Sequence, residues 1–136
     1  MKRLVAFALV IVFCLPLAGC DDLAKNTATV LKACDIAYNG IMDGSAVAFK
    51  QGFITKDTVA RVAHIAAIYH SSWKAACTAL EEYKIAEESG DSVNKEVKRI
   101  SLNAAVSLAR TRLDELKTYW HEAKGAYTEL KEKSDE

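Results

Sequence analysis

The chain has 136 residues, 18 Lys plus Arg against 18 Asp plus Glu, one proline, six glycines and four cysteines. That is one domain's worth of sequence. A net charge of zero, with no basic stretch and no long acidic tract, removes the electrostatic footprint of a nucleic-acid binder.

The first element is an address rather than part of a fold. Lys2 and Arg3 give a positive start, Leu4 to Leu17 carries no charge, and Leu17-Ala18-Gly19 brings small residues up to Cys20. An uncharged run of about 14 residues is short for a membrane span, which takes around 20, and it suits the apolar region of a secretory signal. A short anchor helix that stays attached is the competing reading of charge and length.

The residues Leu17-Ala18-Gly19-Cys20 resemble the lipobox of bacterial lipoprotein precursors. The resemblance covers about the first 20 residues and does not reach the remainder of the chain. It implies that the Cys20 thiol, the nucleophile that takes the lipid, carries diacylglycerol. It also implies that a dedicated signal peptidase cuts between Gly19 and Cys20, and that the new amino group takes an acyl chain of the palmitate kind. No other cofactor is expected. Several acyl chains together anchor stably where one binds only marginally. Asp21 and Asp22 directly follow Cys20. In enteric-type bacteria, Asp there resembles the signal that retains a lipoprotein on the periplasmic face of the inner membrane. The outer membrane is the alternative address, and two carboxylates that start a tether or cap the first helix are the plain one.

Without residues 1–19 the chain loses Lys2, Arg3 and its only proline, Pro16, and becomes mildly acidic. The remainder is rich in Ala, Lys, Glu and Leu, and apolar and polar residues never alternate over a strand-length run, so the expected class is all-α. Three apolar rows keep heptad spacing. The first is Leu23, Thr27, Val30, Cys34, Ala37, Ile41, Gly44 and Ala48. The second is Val59, Val62, Ala66, Tyr69, Trp73, Ala76, Leu80 and Tyr83. The third runs from Leu102 through Val106, Ala109, Leu113, Leu116, Trp120, Ala123 and Tyr127 to Leu130. Each row lines one helix face, as bundle packing requires. Val93, Val97, Ile100, Ala104 and Leu108 add a second row to the third segment, whose early part is therefore apolar over more than one seam.

The breaks are legible too. Gly52 suits a left-handed helix end, Thr55 suits an N-cap, and Ile54 and Val59 take the positions of a hydrophobic staple. Ser89-Gly90-Asp91-Ser92 repeats the stop and restart. These signals predict helices near 22–51, 56–89 and 92–132 and a polar tail over 133–136. Short loops make the neighbours antiparallel, which gives a three-helix bundle with coiled-coil-like packing and the third helix longest. Residues 20–22 would be the lipidated tether and 23–132 the single domain. Gly40 and Gly44 either break the first helix or, with Ala48, form a smooth groove for large side chains of the second helix; the groove is preferred. Gly125 is a candidate early end for the third.

Cys14 falls in the signal and Cys20 takes the lipid, leaving Cys34 and Cys77 as an even pair in a disulfide-permissive compartment. Both lie roughly 27–29 Å from the first turn along their helices, so they are level, and a disulfide is expected; it would stabilise by about 4 kcal/mol in the loop-entropy view. Two buried free thiols are the alternative.

Chemistry is sparse. His64 and His70 are six apart and fall on different helix faces, no His-Glu-x-x-His occurs, and no metal site is expected. No phosphate loop and no Gly-x-Ser-x-Gly is present, so no enzyme and no catalytic residue is expected. Tyr119, Trp120, His121 and Tyr127 could mark a docking surface if the long third helix projects beyond its partners. The expected function is a lipid-anchored, non-enzymatic interaction or structural module of the cell envelope, with a protein partner or self-association and no nucleic acid. Small lipoproteins of this look also occur on phage and plasmid genomes as exclusion, immunity or lysis-associated factors, a likeness of type with no motif behind it. A small-ligand or metal-binding carrier, with a pocket around Tyr69, His70 and Trp73, is the alternative.

Overall fold

A computed structural model describes the backbone of residues 22–134 and the side chains up to 126. The expected signal sequence, Cys20 and Asp21, and the side chain of Tyr127, lie outside the described residues. Three helices form an antiparallel bundle: α1 (Leu23–Lys50), α2 (Lys56–Glu88) and α3 (Ser92–Ser134). The third is longest, at 43 residues.

Local chemistry sets the boundaries. Asp22 is the N-cap residue of α1, but its side chain makes no capping bond; only its carbonyl accepts, from the Asn26 N–H at 2.8 Å. At the other end Gly52 takes φ 74°, the left-handed region that a side chain would strain. The Gly52 N–H donates to the Phe49 carbonyl and the Phe53 N–H to the Ala48 carbonyl, at 3.0 and 2.7 Å. This is the paired closure of a Schellman end. Thr55 then restarts the chain, its hydroxyl oxygen accepting from the Thr58 N–H at 3.2 Å, with Ile54 buried and Val59 half-buried at the staple positions. The second turn repeats the scheme with Gly90 at φ 73°. There the Asp91 carboxylate accepts from the N–H groups of Val93 and Asn94, both at 3.1 Å, giving α3 its cap.

Helix α1 runs unbroken through Gly40 and Gly44, so the glycines do not split it. Gly40 faces open space, whereas an added Cβ at Gly44 would lie 3.4 Å from the Trp120 ring. The groove at Gly44 therefore receives its large side chain from α3, not from α2 as expected. Every described residue of the three core rows is buried or half-buried.

The core divides into three clusters along the axis. Nearest the α2–α3 turn are Leu31, Ala76, Leu80, Tyr83, Leu102 and Ala109, with Leu23 and Ala24 packed on them. Cys34, Tyr69 and Leu113 occupy the middle. Ile41, Val62, Ala66 and Leu116 fill the far end, with Tyr119 and Trp120 against them. The most extensive packing is between α2 and α3, and α1 leans more on α2 than on α3. Polar ties between helices fix register, among them Lys98 of α3 to Glu82 of α2 at 2.7 Å. The Trp73 indole N–H donates to the Leu31 carbonyl at 3.0 Å, joining α2 to α1. Lys95 reaches Glu87 at 2.7 Å and lies over the Tyr83 ring, joining α3 to α2. The bond from Lys95 holds the Glu87 carboxyl below the usual carboxylate range.

Candidate functional site

The expected bridge between Cys34 and Cys77 is not formed, and both thiols are free. Level position along a hairpin does not make two side chains face one another. Cys34 enters the seam with Tyr69 and Leu113, while Cys77 sits half-buried against the neighbouring cluster around Leu31 and Leu80. Burial pushes both thiols up from their ordinary value. Lys117 and Arg110 partly oppose this at Cys34, and Asp35 and Glu81 reinforce it at Cys77. Raised thiols hold little thiolate at neutral pH and are poor nucleophiles. In iodoacetamide labelling at pH 8 read by peptide mass, Cys77 is expected to react slowly, and Cys34 to stay protected until the bundle unfolds.

Tyr69 is 1 % exposed, and its hydroxyl is buried without a hydrogen-bond partner. A polar group desolvated without compensation costs about 1–3 kcal/mol. Tyr69→Phe is therefore expected to raise stability by about 1 kcal/mol, read as a higher melting temperature. The same burial pushes the phenol well above its ordinary value of 10.0. As pH rises past 10, the unfolded chain releases this proton and the folded chain keeps it, so stability falls on the alkaline side. Melting curves from pH 7 to 11 should show that fall, and Tyr69→Phe should flatten it.

The proposed docking residues separate. Trp120 and Tyr119 pack on the far-end cluster, with the Arg61 guanidinium 5.6 Å from the centre of the Tyr119 ring. His121 is exposed. Trp120 is thus part of the bundle, seated on Gly44, and the part of α3 that outruns α2 begins only after it. Around Tyr69, His70 and Trp73 there is an aromatic stack rather than an enclosed pocket. Tyr38 and Trp73 flank the His70 ring with centroids 5.7 and 5.9 Å away. Beside it runs a shallow, open groove of about 500 Å³ past Leu31, Asp35, Trp73 and Cys77. Among the described residues no three His, Cys, Asp or Glu side chains group for a metal ion.

The feature that stands out is on α3. Val93, Val97, Ile100 and Leu108 are 74, 55, 60 and 49 % exposed, and Ile85 in the last turn of α2 is 66 % exposed. Ala104 completes the row and is exposed as well. The second apolar row does not widen the core; it faces away from it. The core row extended backwards from Leu102 meets Arg99 and Lys95, both half-buried, and those charges in seam positions are the sequence signal that the aliphatic row lies outside. Among the described residues no helix is long and apolar enough to cross a membrane. Compared with protein families, curated proteins and solved structures, the chain finds no match; its functional reading rests on its own residues.

Proposed function

We propose that the chain is a lipid-anchored helical protein of the bacterial cell envelope, exported by residues 1–19 and held by acyl chains on Cys20. Its three-helix body serves as a non-enzymatic interaction module. The observation that carries this reading is the order of the first 23 residues. A basic start, an uncharged run and Leu17-Ala18-Gly19-Cys20 stand three residues before α1 begins at Leu23. Asp21 and Asp22 favour the periplasmic face of the inner membrane. A carrier role is the second reading, and the open groove beside Trp73 and Cys77 is what speaks for it.

Intact mass of the native product tests the anchor. A chain beginning at Cys20 with acyl mass added supports it, and a retained Met1 with an unmodified Cys20 overturns it. Pull-down of the tagged chain from envelope extracts, beside a melting screen with small ligands, separates the two roles. A stoichiometric protein partner with no ligand-induced rise in melting temperature supports the module. A ligand-dependent rise without a protein partner supports the carrier.

A further inference from the structure

We propose that the exposed aliphatic face of α3, Val93, Val97, Ile100, Ala104 and Leu108, lies against the lipid bilayer that holds Cys20. The inference rests on the anchoring proposed above and adds an orientation to it.

The face is confined to one end of the bundle. It opposes the seam formed by Leu102, Ala109, Leu113 and Leu116, which are buried. Along the same line past Leu108, the exposed residues become Thr111, Glu115, Thr118 and Glu122. An all-aliphatic surface thus turns polar halfway up a continuous helix. The apolar half starts at the α2–α3 turn. Leu23 and Ala24 pack on the cluster of Tyr83 and Leu102, so α1 starts at this same end.

Chain length brings the bilayer there. Cys20 stands three residues before Leu23, and three residues span at most about 11 Å even when fully extended. From Val93 to Leu108 is about 22 Å of helix. A bilayer surface that takes the acyl chains is therefore within one bundle width of the aliphatic row. The headgroup boundary accepts such a face, buried by roughly 5–10 Å.

The charged surroundings permit the approach. Between Val93 and Leu108 the charged residues are Lys95, Glu96, Lys98 and Arg99. Lys95 pairs with Glu87 and Lys98 with Glu82, both at 2.7 Å. The Glu96 carboxylate accepts from the Arg99 guanidinium at 2.7 Å. The cations of this stretch are thus each paired with a carboxylate. A second copy fits less well, because a stable interface engages about 20–30 residues a side. The anchor makes contact with lipid effectively intramolecular, so a small apolar face is enough to choose which side of the bundle faces down.

The test uses the native full-length product, purified in detergent and placed in phosphatidylcholine vesicles containing a phospholipid with a diazirine on its acyl chain. After illumination, peptide mass maps where lipid attaches. Adducts at the acylated N-terminal peptide and within residues 93–108, with none over 111–122, support the proposal. A pair of substitutions on the exposed face, Val97→Asp with Ile100→Asp, should cut the 93–108 adducts at least tenfold and leave the N-terminal ones. If that pair lowers the melting temperature, Val97→Ser with Ile100→Ser serves in its place. Adducts restricted to the N-terminal peptide of an acylated sample overturn the orientation alone, as do protein-to-protein crosslinks through 93–108. An unacylated Cys20 overturns the anchor and the orientation together.

Discussion

Cys20→Ser is expected to move the protein from the membrane fraction almost entirely to the soluble fraction of the envelope. In the proposed anchoring the Cys20 sulfur is the atom that accepts the lipid, and a serine hydroxyl does not replace it. Transfer of each acyl methylene from water contributes about 0.8 kcal/mol, so the two or three chains of the proposed anchor would hold the protein far more firmly than the five aliphatic side chains of α3 could. Cell fractionation with an antibody to the helical body reads the result. A Cys20→Ser protein that has lost residues 1–19 and still sediments with membranes would sink the anchoring proposal. Melting temperature should not change between the two forms, because the bundle begins at Leu23 and makes its core without Cys20.

Leu102→Ala is expected to lower stability by about 2–5 kcal/mol. Leu102 is fully buried in the cluster of Leu31, Ala76, Leu80, Tyr83 and Ala109. Ala76 and Ala109 in the same cluster are too small to expand into the space it would leave, so the cavity term adds to the lost transfer energy. Against a total of about 5–15 kcal/mol for a domain, this is a large fraction, and the melting temperature should fall by roughly 8–20 °C. Calorimetry or circular-dichroism melting measures it. Val97→Ala on the same helix is the matched control. Its side chain is more than half exposed, and its removal should shift melting by no more than a degree or two, about the ±0.5 kcal/mol of an ordinary surface change. A Leu102→Ala chain that melted like the Val97→Ala chain would show that the seam is not where the bundle holds together.

The fold was legible because local and periodic signals agreed. Gly52 and Gly90 stand where the chain takes a left-handed residue, and Thr55 and Asp91 cap the helices that start after them. The heptad rows turned inward as their spacing requires. What periodicity did not carry was the direction of a side chain across the bundle. Cys34 and Cys77 are level, yet the one enters the seam and the other its flank, because height along an axis fixes one coordinate of three. Trp120 stands both on the third core row and among the docking candidates, and nothing in its own helix shows that Gly44, 76 positions earlier in number, leaves room for its ring. Tyr38 lies off the first core row, and its stacking on His70 could be seen only when α1 and α2 were placed together. The aliphatic row from Val93 to Leu108 was visible as a row but not as a surface, since spacing alone does not say which of two apolar faces the neighbours will cover.

The seat of Trp120 on Gly44 sets the order in which the molecule can be completed. Synthesis delivers α1 first, yet α1 is held by an indole from α2 at its Leu31 carbonyl and by an indole from the second half of α3 at Gly44. The hairpin of α2 and α3 closes over a short turn and buries most of its own seam, whereas α1, which can lie on α2 early, is covered at Gly44 only by the latest side chains. A nascent chain therefore leaves the Gly44 end of α1 uncovered until nearly all of it has emerged. A product cut short before residue 120 would carry a first helix that lies on α2 but is bare at Gly44, a ready target for surveillance proteases.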